Sequence, residues 1–139
     1  MHTAQNASRD LKAVCVQSAL ITLSAAAATA PYFVCHNRDY VVRSIHILYN
    51  VATDANPGVA INVGTRGTAA YFGTATSGVS KSIDAVDTVT LTANTTLTKG
   101  TPLFIGCAGS KTGVGQVLVT VELTPVDTKD SAGRLALPL

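Results

Sequence analysis

Apolar and polar residues alternate with a period of two along much of this chain. In residues 40–51, one face carries Val41, Ile45, Ile47, Tyr49 and Val51, and the other face carries Ser44, His46 and Asn50. Near the end, Val117, Val119, Val121 and Leu123 alternate with Leu118, Thr120, Glu122 and Thr124. Period-two alternation rich in β-branched residues predicts half-buried strands.

Seven further segments complete the predicted strand set. Residues 88–93 alternate Thr with Val89, Leu91 and Ala93, and shorter apolar runs predict strands at 14–16, 19–23, 32–35, 59–63, 69–74 and 103–107. Turn-forming Gly, Pro and Asn separate many of them, and a glycine-flanked hairpin is predicted at 109–113. Only residues 25–30 and the leader before Lys12 are candidates for short helices. Eight or nine short strands predict an all-β fold, a single antiparallel β-sandwich of jelly-roll type.

The domain organisation predicted is one domain with two extended arms. Residues 1–139 form the domain, with an N-terminal arm at 1–10, the sandwich at 11–127 and a C-terminal arm at 128–139. Neither arm has an apolar periodicity that would hold it on its own domain, so we expect neighbouring subunits to hold both. The candidate interface residues are Met1, Asn6, Arg9, Arg134, Leu135, Leu137 and Leu139.

Composition changes this picture in one respect, the scarcity of charge. Charged residues make up 13% of the chain, about half the usual share. This indicates a surface that partners partly cover. The net charge of +2 is spread along the sequence, which argues against a nucleic-acid partner, and there is no apolar run long enough for a membrane span.

The apolar run at 13–23 imitates a secretory signal, but Asp10, Gln17 and Ser18 interrupt the pattern, so we expect it to be part of the folded chain. Cys15, Cys35 and Cys107 are odd in number and widely spaced. They predict neither a disulfide framework nor a zinc site, and buried, inert thiols made in a reducing compartment are the expected outcome.

Catalytic and cofactor motifs are weak throughout, so no enzyme activity and no cofactor are predicted. Lys111-Thr112 lacks the glycines of a phosphate-binding loop, and a strand rather than a helix is expected to follow it. Cys35-His36 would point to opposite faces of a strand. His2, His36 and His46 lack metal-ligand spacing, while Asp84 and Asp87 fall in a predicted turn leading into a strand.

The residues from 31 to 127 resemble small β-sandwich decoration (cement) proteins of tailed-bacteriophage capsids. The matching segments are Tyr40-Val41-Val42-Arg43-Ser44-Ile45, Ile61-Asn62-Val63-Gly64-Thr65, Leu97-Thr98-Lys99-Gly100-Thr101-Pro102-Leu103 and residues 113–123. The resemblance implies a non-enzymatic virion protein, made in the host cytoplasm and located on the capsid surface. Its implied partners are the major capsid protein and neighbouring copies of itself, in a homo-oligomer that could be a trimer.

Two other functions fit the sequence. One is a carbohydrate- or receptor-binding module of a phage fibre or tail, for which Tyr71, Phe72 and Asn94 are the candidate contact residues. The other is the coat subunit itself, which would favour a more basic inner face than a net charge of +2 provides.

Overall fold

A computed structural model describes residues 13–24, 30–34, 37–53, 59–76, 81–109 and 112–126. These residues contain ten strands, and none of them lies in a helix. The strands are β1 (Val14–Gln17), β2 (Ile21–Ser24), β3 (Ala30–Phe33), β4 (Tyr40–Val51), β5 (Val59–Gly64), β6 (Gly73–Thr76), β7 (Val86–Thr88), β8 (Thr96–Leu97), β9 (Leu103–Gly109) and β10 (Thr112–Pro125).

The strands form two antiparallel sheets with jelly-roll topology. In the first sheet β10 and β4 are central, β1 and β2 share the outer edge of β10, and β7 and β8 share the outer edge of β4. The second sheet has the order β3-β9-β5-β6. Each sheet therefore has four strand positions, and the chain passes between the sheets as in two Greek keys. The predicted sandwich is confirmed, and the strand count is ten because β7 and β8 replace the single strand predicted at 88–93.

The long strand β4 has the predicted bounds, but two predicted inward residues point elsewhere. Ser44 and Val42 pair with the consecutive residues Glu122 and Leu123, so Arg43 is an extra residue in the ladder. This bulge turns Val42 into the core, where Val41 was predicted. At the other end, Tyr49 and Val51 pair with Val117 and Gln116, so Asn50 is extra and Val51 is exposed.

The inward face of β10 is the predicted one, and it forms the centre of the core. Val117, Val119, Val121 and Leu123 are all fully buried. Apolar residues of the second sheet complete the same cluster: Val59, Ile61, Val63, Leu103, Ile105 and Cys107. The two inner faces supply the apolar area that stabilises a sandwich of this size.

Two predicted strands differ in the structure. The segment 88–93 does not continue as one strand, because the chain leaves the first sheet after Thr88 and Leu91 makes a single bridge to Gly73 of β6. The amide of Thr92 then donates to the carbonyl of Phe72 at 2.9 Å. These contacts join the β7–β8 connection to the second sheet, so they close one side of the sandwich. The predicted strand at 69–74 is a turn that leads into β6.

The predicted hairpin at 109–113 is wrong, since β9 and β10 belong to different sheets. Their connection crosses from one layer to the other, and β10 takes β1, β2 and β4 as its described partners. A short glycine-rich connection can join two strands of one sheet in a hairpin, or it can join strands of two different sheets. The local composition therefore does not distinguish a hairpin from a connection between the sheets.

Candidate interaction surfaces

The described chain begins and ends at the same end of the sandwich. Val14, at the start of β1, pairs with Leu123, two residues before the end of β10. Beyond β10, the amide of Val126 donates to the carbonyl of Asp39 at 2.9 Å. We call this region the arm end, because residues 1–12 and 127–139 extend the chain from it.

All seven predicted interface residues lie outside the described residues: Met1, Asn6, Arg9, Arg134, Leu135, Leu137 and Leu139. The same holds for Cys35, His36, His2, Lys111, most of the Ala-rich run at 25–30 and the leader before Lys12. The structure fixes where the arms start, and their contacts stay predictions.

An apolar depression of about 410 Å³ opens beside edge strand β3 at the arm end. Its lining residues, which define the β3 depression, are Pro31, Tyr32, Phe33, Val34 and Pro102. The ring of Phe33 packs edge-to-face on Tyr40, with centroids 5.4 Å apart, so the first residue of β4 supports the depression from behind. Val34 is 41% exposed, and Pro31 has no amide hydrogen to offer at the sheet edge.

A second apolar surface crosses the outer face of the first sheet. Leu118 of β10 pairs with Leu48 of β4, which pairs with Val86 of β7. Leu20 belongs to the short connection opposite Leu118, because Ser18 bonds to Val119 and Ile21 pairs with Val117. These four residues, the outer apolar row, extend about 14 Å over four strand positions. Leu20 and Val86 are more than half exposed.

One polar cluster ties the 81–87 segment to β4. The Tyr49 hydroxyl donates to Oδ2 of Asp87, and Nζ of Lys81 donates to Oδ1, both at 2.8 Å. Burial, the hydrogen bond to Asp87 and the negative charge of Asp87 together raise the pKa of Tyr49. Burial tends to raise the pKa of Asp87, but the hydrogen bonds from Lys81 and Tyr49 and the charge of Lys81 outweigh it, so that pKa is lowered. The charges of Lys81 and Asp87 are paired with each other, and structural ion pairs of this kind also shift pKa values.

The cysteines differ from the expectation of three buried thiols. Cys15 is exposed, because it lies on the outward face of edge strand β1, opposite Glu122. Cys107 is buried, and burial raises its pKa to about 11, so the thiolate required of a nucleophile is disfavoured. His46 lies on the outer face, where its Nδ1 is 3.2 Å from the Thr88 hydroxyl. His46 therefore pairs with Thr120 and Thr88 in the first sheet, and neither of these partners is a cysteine that it could activate.

The described segments contain neither a metal-binding cluster nor a membrane-spanning helix. These segments hold no group of three or more His, Cys, Asp or Glu side chains that could bind a metal ion. They also contain no helix that is long and apolar enough to cross a membrane.

Asp84 lies in the predicted turn, with a positive φ of 66°, and Asp87 lies in the strand that follows. Thr112 opens strand β10, as expected for the segment after Lys111.

The aromatic pair considered for glycan binding is divided between core and surface. Phe72 is fully buried, and half-buried Tyr71 packs on it edge-to-face with centroids 5.0 Å apart. Asn94 is exposed, and its backbone bonds to the Thr92 hydroxyl. A sugar ring stacks on an exposed aromatic face, which Phe72 does not offer.

Comparison with known proteins gives a structural likeness. No protein-family model matches the chain, and no curated protein matches it in sequence. The chain is similar in structure to a chain of the cyanophage Pam1 capsid asymmetric unit, with a TM-score of 0.53 and 19% sequence identity. The match covers 82% of this chain and 85% of that chain, so the two have similar lengths. At this identity, the likeness shows a shared fold.

Sequence reasoning missed both the β3 depression and the outer apolar row. A signal for the row was present, since Leu118 and Leu48 are leucines at positions where the alternation calls for polar residues. The depression depends on Pro102 lying next to β3, and that neighbourhood follows from the pairing of β3 with β9.

Proposed function

We propose that this chain is a non-enzymatic structural protein of a phage virion, which decorates the capsid and stabilises it by binding the major capsid protein. The observation that carries the proposal is the fold shared with a chain of a phage capsid asymmetric unit, over more than four fifths of both chains. Jelly rolls of this size are frequent in virion proteins. The protein would be made in the host cytoplasm and located on the outer surface of the capsid.

The surface chemistry supports a role in assembly. Charge is scarce over the whole chain, and apolar residues lie exposed in the β3 depression and in the outer apolar row. The cores of protein interfaces are depleted in charge in the same way. In a shell with many copies, avidity lets each modest contact contribute to a stable assembly.

We propose the arms as the main contact elements, through Met1, Asn6 and Arg9 on one side and Arg134, Leu135, Leu137 and Leu139 on the other. The common origin of both arms at the arm end supports this, because it lets them act on the same neighbour. Neighbouring copies are proposed as second partners, in a homo-oligomer such as a trimer.

A second candidate is the coat subunit itself, because the structural neighbour is described only as part of a capsid asymmetric unit. The two candidates differ in one property: a coat subunit assembles into closed shells alone, whereas a decoration protein binds shells that already exist. The sequence-based alternative of a glycan-binding module has less support, since Phe72 is in the core.

Co-sedimentation of the purified chain with bare shells of its phage tests the proposal. We expect saturable binding in a fixed ratio to the coat protein, and no shells when the chain is incubated alone. A glycan array run in parallel provides the control. Retention on glycans without binding to shells would overturn the proposal, and closed shells formed by the chain alone would establish the coat subunit instead.

A further inference from the structure

We propose that the β3 depression of one copy binds the apolar tail, residues 135–139, of a neighbouring copy. This inference rests on the proposed function, because it assumes that copies lie side by side on the shell.

The shape of the depression fits an extended apolar segment. Its lining follows β3 and Val34, and residues of one strand are spaced by about 3.3 Å, so the apolar floor is about 10 Å long from Pro31 to Val34. β3 is the edge strand of its sheet, with β9 as its described partner, so its other edge faces away from the sheet. Edge strands accept extended peptides, with alternate side chains entering pockets.

The sequence of the tail fits this surface. Leu135, Leu137 and Leu139 alternate with Ala136 and Pro138, so an extended conformation places three leucines on one face over about 13 Å. Pro138 favours an extended conformation for Leu137. The N-terminal arm is a poorer occupant, because residues 1–10 contain Met1 as their one large apolar side chain.

The position of the arm end brings the tail within reach of a neighbour. Val126 bonds to Asp39, which precedes Tyr40, and the Tyr40 ring packs on Phe33 in the depression. Residues 127–134 form a polar spacer that can extend over about 26–29 Å. The side chain of Asp39 also accepts a hydrogen bond from the amide of Lys99, so Asp39 ties the end of β10 to the 98–102 turn. A spacer of this length is sufficient to reach a second copy that lies beside the arm end.

Tryptophan fluorescence can test whether the tail of one copy binds the β3 depression of another, since the natural chain contains no Trp. The reporter chain carries Leu137→Trp in its tail and Val34→Asp in its own depression, so it can supply a tail but cannot accept one. Unlabelled chain with an intact depression is then titrated into it. We expect the emission to shift to shorter wavelength and acrylamide quenching to fall, with saturation.

The matched controls vary only the titrant. A titrant with Ile83→Asp, altered at an apolar residue that is 61% exposed and outside the depression, should bind the tail as well as the natural chain does. A titrant with Val34→Asp should produce no shift, and Val34→Lys should behave in the same way. Circular dichroism and thermal unfolding verify that each variant folds.

Two results would overturn the inference. One is an absence of any shift with the natural chain, and the other is an equal shift with the Val34→Asp titrant. A Leu137→Trp chain with an intact depression whose emission is already shifted at every concentration would place the tail on its own copy and would also contradict the proposal. No shell is present in these mixtures, so they can fail while shell binding succeeds, or succeed while shell binding fails.

Discussion

The two faces of strand β10 hold leucines in opposite situations. Leu123 faces inward and is fully buried between the sheets, whereas Leu118 faces outward and is half-buried within the outer apolar row. Both residues lie in the same alternating segment and both pair with β4. The comparison shows that the alternation specifies the fold through its regular positions, while an apolar residue at an irregular position is left on the outer face of the sheet.

The largest expected effect is a difference in the free energy of unfolding between alanine variants of these two leucines. Leu123→Ala should lower the free energy of unfolding by about 2–5 kcal/mol, because it leaves a cavity in a closed core. Leu118→Ala should cost less than about 1 kcal/mol in the free protein, because the site is open to solvent. Chemical denaturation of both variants measures the difference, and similar losses would mean that the outer row is part of the core.

A smaller contrast involves two glycines with different surroundings, Gly64 at the end of β5 and Gly67 in the loop that follows. A Cβ added at Gly64 would lie 2.3 Å from the backbone oxygens of Thr68 and Ala69, whereas one at Gly67 would have nothing within 4 Å. Gly64→Ala should therefore destabilise the fold by about 3 kcal/mol, and Gly67→Ala should be close to neutral. Denaturation midpoints compare them, and a neutral Gly64→Ala would contradict the close approach of the loop.

The polar cluster on β4 predicts a modest dependence of stability on pH. The pKa of Asp87 is lowered in the folded state, so its contribution is present above its unfolded-state pKa and is lost as the pH falls through its folded pKa. Lys81 and Asp87 are each about one-third exposed, so we expect the contribution to be below about 1 kcal/mol.

The matched variant for this effect is Asp87→Asn, which removes the titrating carboxyl. Between pH 7 and pH 3, the unfolding free energy of the natural chain should fall more than that of Asp87→Asn. Parallel pH curves for the two chains would show that the cluster contributes nothing by its charge.

The smallest effect concerns the thiols and leaves stability unchanged. In a Cys35→Ser background, a thiol reagent at pH 8 should modify Cys15 in the native protein and Cys107 only after unfolding. Burial and the raised pKa of Cys107 are the reasons for the difference. Adding Cys15→Ser should abolish native labelling, and continued labelling of that variant would show that the second sheet opens.

Much of the fold follows from the sequence, because burial between two sheets imposes a period of two. Val117, Val119 and Val121 are inward as the pattern requires. The failures at Val41 and Val51 have a common cause, since one extra residue in a ladder reverses the side-chain direction beyond it. Such a bulge depends on the partner strand, which local alternation does not identify.

The interaction surfaces were less accessible to sequence reasoning for a similar reason. Pro102 and Phe33 are far apart in the chain, and β3–β9 pairing brings them together. Phe72 and Tyr71 are adjacent aromatic residues, but Phe72 fills the core and only Tyr71 is partly accessible. Residue type alone did not distinguish these roles, because an aromatic ring suits a core and a binding surface equally well.

Thermal rupture of bare phage shells, with and without added chain, measures whether this chain binds an existing shell and stabilises it. A partner that binds only the intact shell raises its stability by mass action. Stabilisation of the shell by this chain predicts a rupture temperature that rises with added chain and reaches a plateau at a fixed ratio of chain to coat protein. An unchanged rupture temperature at saturating concentrations of chain would contradict it.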